Sequence, residues 1–220
     1  MTTGSAREWV RRLQPYRLPS NRRSAFETVL TLGLLVSFWV LMWFTISYSV
    51  ILTLLLSIPA ALMMVRLFII QHDCGHQSMF TTAKWNDRVG RALGVLTLTP
   101  YDYWRRSHAI HHAGSGNLDR RGVGDIDTLT VEEYLAMSRI GRLKYRLYRH
   151  PLVMFGIGPA FIFMLQHRLP VQALKDGVMS WTSVMATNLA IAAMWIALGM
   201  LVGFKVFLII HLPIMLIGAS

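Results

Sequence analysis

Hydrophobic residues in this chain are concentrated in two long blocks that are flanked by polar and basic stretches. In the first block, Arg66 is the only charged side chain between Glu27 and Asp73. An apolar run of this length exceeds the roughly 20 residues of one bilayer crossing and is long enough for two. The block therefore predicts a transmembrane hairpin over residues 29–70. Its parts are a helix over about Val29–Ile46, a turn at residues 47–49 and a helix over about Val50–Ile70.

The second apolar block, residues 183–220, predicts another hairpin. Lys205 is its only charged residue, and it divides the block into a helix over about Ser183–Gly203 and a second helix that starts near Val206. The sequence ends before this second helix reaches the roughly 20 residues that a crossing requires. The resulting prediction is an all-α polytopic membrane protein with two transmembrane hairpins, of which the second is truncated.

Basic residues flank the hairpins and predict the orientation of the chain. Residues 1–28 form a basic arm with six arginines, and residues 71–182 form a polar segment that contains most of the other lysines and arginines. Cytoplasmic loops carry an excess of Lys and Arg, so the arm is predicted to be cytoplasmic and the later segment to be cytoplasmic or interfacial. The net charge of +11 is then explained by attraction to anionic headgroups, and we predict no nucleic-acid partner.

Five of the eight histidines lie in two short motifs inside residues 71–182. In HDCGH the histidines are four residues apart, and in SHAIHH they stand at i, i+3 and i+4, so each motif places its imidazoles on one side of a helix. Neutral imidazole is a ligand for iron, zinc, copper and nickel, whereas magnesium and calcium prefer oxygen. The motifs therefore predict a metal centre with five candidate ligands. These are His72, His76, His108, His111 and His112.

Two aspartates next to the motifs are candidates for orienting the ligands. Asp73 directly follows the first histidine, and Asp102 lies six residues before the second motif. A carboxylate that accepts the second ring N–H of a metal-binding histidine fixes the tautomer and the direction of that ring.

Several kinds of metal protein are compatible with the motifs themselves. An intramembrane zinc protease is one, because HDCGH has the histidine spacing of HExxH and Asp73 stands where that motif has its general base. The second motif then has no role, since such a zinc site needs only one further protein ligand. Five nitrogens exceed the one or two axial ligands of a haem and suggest more than one metal ion. A non-enzymatic membrane metal binder is a further alternative.

With HDCGH followed about thirty residues later by HAIHH, the sequence resembles the membrane fatty acid desaturase family, in particular its bacterial acyl-lipid type. The segment GNLDRRGVGDIDTLTVEEY, residues 116–134, also resembles the segment that follows the second motif in those enzymes. The resemblance implies a non-haem centre of two iron ions that uses O2 to introduce a double bond into the acyl chain of a membrane lipid. It also implies the five histidines as ligands and ferredoxin or cytochrome b5 as electron donor. The two motifs, which are called histidine boxes in this family, would face the cytoplasm from a bacterial plasma membrane.

The sequence departs from the family pattern in one respect. Desaturases of this type have a third histidine box after the fourth membrane helix, and the chain ends before that position. His211 does not replace it, because this residue is predicted to lie inside the last helix, away from both boxes, where we expect it to hydrogen-bond a neighbouring helix. We therefore predict an N-terminal fragment of a desaturase. A lipid or carotenoid hydroxylase or ketolase with the same kind of centre remains an alternative.

The segment between the second box and the second hairpin predicts surface helices. Thr130 and Glu133 have the spacing of a capping box, which would start a basic amphipathic helix that runs to Arg149 and lies on an anionic membrane surface. The apolar piece Leu152–Leu165 is short for a crossing and is predicted to lie at the interface.

Overall fold

The computed structural model describes residues 6–122, 126–169 and 177–220, and within these ranges it contains helices and connecting segments but no β-strand. Residues 1–5 of the predicted basic arm and residues 170–176 of the predicted interfacial segment lie outside the described ranges. The α-helices are α1 (Ala6–Leu13), α2 (Asn21–Thr45), α3 (Val50–Gly75), α4 (Ala83–Leu96), α5 (Tyr101–Gly114), α6 (Val131–Ala136), α7 (Arg139–Tyr148), α8 (Gly158–Met164), α9 (Val178–Val202) and α10 (Phe204–Ala219).

The first predicted hairpin is confirmed as helices α2 and α3. Ser49 caps α3 by accepting a hydrogen bond from the backbone N–H of Leu52 at 3.2 Å. At the other end of the pair, Arg66 forms an ion pair with Glu27. Helix α3 continues to Gly75, beyond the predicted end at Ile70. The first histidine box therefore starts on the last turn of a membrane helix.

The second hairpin consists of α9 and α10, which are joined at Gly203. The φ angle of Gly203 is 88°, a backbone conformation that glycine adopts without the steric cost of a side chain. After this corner the helices pack together, with the rings of Trp195 and Phe207 5.7 Å apart. Helix α10 also lies against α3, and Ile210 and Ile214 are buried in the shared core.

Among the residues that the structure describes, three helices, α2, α3 and α9, are long and apolar enough to cross a membrane, while α10 has 16 residues. The chain is therefore an all-α polytopic membrane protein, as predicted. The start of α9 lies beside α5, where the backbone N–H of Tyr103 donates to the hydroxyl of Ser183 at 3.3 Å. Both histidine boxes are thus on the side of the bundle opposite the turn at residues 47–49 and the corner at Gly203.

Helices α4 and α5 connect the first hairpin to the rest of the chain. The segment before α4 folds around buried Asn86, whose amide accepts from the backbone N–H of Phe80 at 2.9 Å and donates to its carbonyl at 2.8 Å. The turn between α4 and α5 is fixed by Arg168, which donates to the carbonyl of Leu98 and, at 2.7 Å, to Asn188. These contacts stabilise the turn that precedes α5.

The structure corrects the prediction of one helix from Thr130 to Arg149. The capping box of Thr130 and Glu133 is confirmed, but α6 ends at Ala136, and Met137 has an extended backbone with ψ of 150°. Ser138 then caps a separate helix, α7, by accepting from the backbone N–H of Gly141 at 3.1 Å. A serine that binds the backbone in this way favours a new helix start over a continuous helix.

The apolar piece after α7 forms a π-helical turn, Val153–Ile157, followed by α8. Phe163 packs edge-on against Phe68 of α3, with ring centroids 5.3 Å apart. Taken together, Arg139–Tyr148 and Val153–Arg168 are apolar enough for a broken span, with a bend of 55° between them. The interfacial placement of residues 152–165 stays a prediction.

The capping box predicts a local response to acid. Hydrogen bonds from the Arg121 guanidinium and from the backbone of Thr130 hold the pKa of Glu133 at about 2, below the ordinary 4.5. Because the folded pKa is depressed, the stabilisation is present above pH 4.5 and is lost as the pH falls towards 2. The protection factors of the amides of residues 131–134, which are their exchange rates relative to the intrinsic rate at each pH, should therefore decrease over this interval. Glu133→Gln should remove this pH dependence, whereas Glu132→Gln, outside the capping box, should retain it.

Candidate metal centre

Four of the five predicted ligands point their Nε2 atoms at one another. His72 lies on the last turn of α3 and His76 directly follows that helix, while His108 and His112 are one turn apart on α5. The Nε2 atom of His108 is 3.0 Å from that of His72, 3.1 Å from that of His76 and 3.1 Å from that of His112. The Nε2 atoms of His72 and His76 are 3.3 Å apart. We call these four residues the histidine cluster.

The four Nε2–Nε2 distances of 3.0–3.3 Å in the cluster fit ligands of a shared metal ion. The four ligand atoms lie within 4.8 Å of one another. Metal–nitrogen bonds of about 2.0–2.1 Å place the nitrogen ligands of one ion roughly 2.9–3.4 Å apart, which matches the neighbouring distances. Lone pairs that converge in this way repel each other unless a cation lies between them. The all-nitrogen donor set suits iron, zinc, copper or nickel.

The surroundings of the cluster favour the neutral, metal-binding form of the His108 imidazole. Burial and then the neighbouring imidazoles lower the pKa of His108 to about 4. The same two causes lower the pKa of His76. A neutral imidazole keeps the Nε2 lone pair that coordinates a metal, so neither ring has to lose a proton at neutral pH before it can act as a ligand.

Comparison with known proteins decides the family. The model of the fatty acid desaturase family matches residues 47–219 of this chain, a range that contains both boxes. The chain belongs to the fatty acid desaturase family. No solved structure matches it.

Relatives within the desaturase family include bacterial and cyanobacterial proteins. A "Fatty acid desaturase" of Bacillus subtilis (strain 168) is 40% identical over 216 residues, which cover 97% of this chain and 60% of the relative. An "sn-1 acyl-lipid omega-3 desaturase (ferredoxin)" of Nostoc sp. (strain 36) is 35% identical over 129 residues, which cover 57% of this chain and 34% of the relative. An "sn-1 oleoyl-lipid 12-desaturase" of Synechocystis is 34% identical over 101 residues, 46% of this chain and 27% of the relative. The chain therefore spans less than two thirds of each of these desaturases.

The fifth predicted ligand of this desaturase-family chain, His111, lies beside the cluster rather than in it. Its ring is 5.9 Å from the ring of His108 and 5.6 Å from that of His112. At 3.6 residues per turn, His112 is displaced from His108 by about 40° around the helix in one direction and His111 by about 60° in the other. The i, i+3, i+4 pattern thus directs the rings of His108 and His112 to the cluster and the ring of His111 to one side of it.

The two predicted orienting aspartates have different partners. Asp73 Oδ1 is 3.3 Å from Nδ1 of His72. Since a carboxylate only accepts, Nδ1 carries the hydrogen and Nε2 presents its lone pair to the cluster. Asp102 instead accepts two hydrogen bonds from Arg91, at 2.8 and 2.9 Å. The structure therefore gives Asp102 a role in joining α4 to α5, in place of the predicted contact with a ligating histidine.

Asp87 is a hydrogen-bond acceptor that the sequence analysis did not identify, and it connects the helices that carry the two boxes. Oδ1 of Asp87, on α4, accepts from Nε2 of Gln77 at 3.0 Å and from Nη1 of Arg105 at 2.8 Å, and it lies 3.2 Å from the hydroxyl of Tyr101. The Tyr101 hydroxyl is also 2.9 Å from the carbonyl oxygen of Cys74, so α3, α4 and α5 are connected through these groups. The partners of Asp87 are 10, 14 and 18 residues away, and no local sequence pattern marks them.

Proposed function

We propose that this chain forms the iron-binding part of an O2-dependent desaturase of membrane-lipid acyl chains. The observation that carries the proposal is the convergence of four histidine Nε2 atoms in a chain of the desaturase family. The Nostoc and Synechocystis relatives are named as acyl-lipid and oleoyl-lipid desaturases. A zinc protease is less well supported, because the second box has no role in that mechanism but supplies half of the cluster here.

The residues of the chain would hold the metal and control its surroundings. When bound, non-haem iron supplies the redox chemistry with O2 that breaking an unactivated C–H bond requires. The histidine cluster and His111 would supply the ligands that this chain contributes to two iron ions. Two ions need about eight to ten coordination positions, so the five histidines leave others for water or for protein outside this chain. Asp73 would keep the proton of His72 on Nδ1.

An apolar cavity between α3, α8 and α10 is the proposed site for part of the acyl chain. It has a volume of about 150 Å³ and an apolar lining that includes Met64, Phe68, Phe163 and Met215. Phe68 lies one helical turn before His72, so the cavity approaches the cluster along α3. A hydrocarbon chain bound there would have water excluded from it by aromatic and aliphatic side chains.

The proposed reaction also requires an electron donor that can reach the histidine cluster from one side of the membrane. The reaction consumes O2 and needs two electrons from a donor, for which we propose a ferredoxin because the name of the Nostoc relative includes ferredoxin. Cytochrome b5 would be an equivalent one-electron donor. We further propose that the protein lies in a bacterial plasma membrane with the histidine cluster on the cytoplasmic side, where such donors are present and where basic loops are retained.

Metal analysis and lipid analysis test this function together. The protein is purified in detergent from iron-replete cells, and iron and zinc per chain are measured by mass spectrometry. Lipids of the same cells are analysed for double bonds and for incorporated oxygen, with the product of the natural gene included in the assay. The His76→Gln variant should lose both iron and any new double bonds. His150→Gln, an exposed histidine outside the cluster, is the matched control and should retain both.

The outcomes separate the alternatives. Iron in the wild type with new double bonds, and with O2-derived oxygen released as water, is the expected result. Oxygen from O2 found in the lipid would instead show a hydroxylase or ketolase. Zinc at one per chain without any lipid product would favour the protease, and iron binding without a lipid product from the product of the natural gene would favour a metal binder.

A further inference from the structure

Trp104 lies directly against one member of the histidine cluster. Its ring and the imidazole of His108 are stacked, with centroids 4.6 Å apart and an angle of 16° between the planes. The indole is 9% exposed and also meets Phe68 edge-on at 5.6 Å and His72 at 5.8 Å. Trp104 therefore fills the space between α3 and α5 immediately beside the cluster.

Gly75, in the first box, leaves the space that this indole occupies. A Cβ atom at position 75 would lie 2.8 Å from Cζ3 and 3.5 Å from Cη2 of Trp104. The shorter distance is closer than Cβ atoms approach other heavy atoms in proteins. A side chain at position 75 would therefore clash with the Trp104 indole in its present position. This explains why HDCGH has a glycine there.

The orientation of the His108 ring affects more of the short Nε2–Nε2 distances than the orientation of any other ring in the cluster. Nε2 of His108 lies 3.0–3.1 Å from each of the other three Nε2 atoms, so rotation of this ring changes three distances at once. The χ2 torsion of histidine is intrinsically broad because it joins sp³ and sp² atoms. A flat ring held 4.6 Å away restricts that torsion, since the two planes must stay nearly parallel.

We propose that Trp104 is a positioning residue that sets the plane of the His108 imidazole, and that Gly75 is the position that admits the indole. This inference rests on the proposed function in one respect, namely that the histidine cluster binds a metal ion. Trp104 acts through His108 and does not coordinate the metal itself. Its contribution resembles that of other outer contacts of a metal site, whose loss typically lowers metal affinity by about 10–100-fold.

Cobalt binding to the purified protein in detergent tests the proposal. Co²⁺ accepts imidazole ligands, and its visible absorption bands report the geometry of the site as well as the dissociation constant. Trp104→Leu, which removes the flat ring, should weaken Co²⁺ binding by about 10–100-fold and shift the bands. Trp104→Phe keeps a smaller flat ring and should have a smaller effect. Gly75→Ala should act like Trp104→Leu, although it changes neither the ligands nor the tryptophan.

A double variant shows whether Gly75 acts through Trp104. Phenylalanine lacks the outer ring of the indole, whose atoms a Cβ at position 75 would meet. Gly75→Ala combined with Trp104→Phe should therefore bind Co²⁺ as well as Trp104→Phe alone, with the same spectrum. Gly33→Ala is the control for a glycine in a membrane helix, because a Cβ at position 33 has no heavy atom within 4 Å among the described residues.

The results that would overturn the proposal are distinct from those that overturn the proposed function. If Trp104→Leu and Gly75→Ala lower the melting temperature but leave the cobalt spectrum and affinity unchanged, Trp104 contributes only packing and the proposal is wrong. If the double variant is weaker than Trp104→Phe, Gly75 does not act through the indole. Should Trp104→Leu fail to fold, the comparison of Gly75→Ala with the double variant still decides, because only a positioning role of the indole predicts that Trp104→Phe restores the binding that Gly75→Ala weakens. Wild-type protein that binds neither Co²⁺ nor Fe²⁺ would overturn both proposals.

Discussion

Replacing His108 with alanine is expected to abolish metal binding by the protein. The Nε2 atom of His108 lies 3.0–3.1 Å from all three other Nε2 atoms of the cluster, so its loss removes the ligand at the centre of the set. Loss of an outer contact already costs about 10–100-fold in affinity, and loss of a ligand should cost more. Iron per purified chain, measured by mass spectrometry, should fall to the background of the preparation.

His150→Ala provides the comparison for this experiment. His150 is exposed, and its Nδ1 accepts only a local hydrogen bond from the backbone N–H of Leu152, at 3.3 Å. The variant should keep the iron content of the wild type. Iron content and affinity that are unchanged in His108→Ala would show that the cluster is not the metal site.

The second large effect is expected from Gly90→Ala, a substitution on α4 that lies outside the two boxes. A Cβ atom at position 90 would lie 2.2 Å from Cε2 and 2.6 Å from Cζ of the buried Tyr101 ring. Overpacking of this kind costs about 1–3 kcal/mol, and the displaced hydroxyl would also lose its hydrogen bond to Cys74, worth about 1 kcal/mol. This outweighs the gain in helix propensity of up to about 1 kcal/mol that alanine has over glycine. The melting temperature in detergent should fall.

Gly33→Ala is again the matched control, since it makes the same chemical change in a helix where the added methyl group has free space. Its melting temperature should equal or exceed that of the wild type. Because Tyr101 starts the helix that carries His108 and His112, Gly90→Ala should also weaken Co²⁺ binding. A variant with wild-type melting temperature and cobalt affinity would mean that the ring of Tyr101 moves aside without cost.

The apolar helices and the identity of the clustered histidines could be predicted from sequence because both depend on short-range patterns. The number of apolar residues needed to cross a bilayer is set by its thickness, so Arg66 and Lys205 stand out within their blocks. Likewise, the four-residue spacing of His72 and His76 corresponds to one helical turn, whatever the helix packs against. The capping box at Thr130 is an equally local pattern, so the sequence predicts it for the same reason.

Contacts between elements could not be predicted in this way. Asp102 is close to the second box in sequence, yet the position of α4 brings Arg91 to it and makes it a link between helices. Trp104 has the sequence context of an interfacial aromatic residue, and only the approach of α3 to α5 places it against His108. His211, expected to hydrogen-bond a neighbouring helix, lies instead stacked on Phe207, and its Nε2 has no hydrogen-bond partner within the described part of the chain.

The contacts that connect the two boxes have a consequence for the order in which the protein is made. His108 and His72 are 36 residues apart, and Tyr101 and Cys74 are 27 apart, so the centre has a low contact order compared with the contacts of α5 to α9. Segments emerge from the ribosome in sequence order, and loops this short close quickly. The ligand set can therefore assemble before the second hairpin has been synthesised, and the later helices then pack against a site that is already formed.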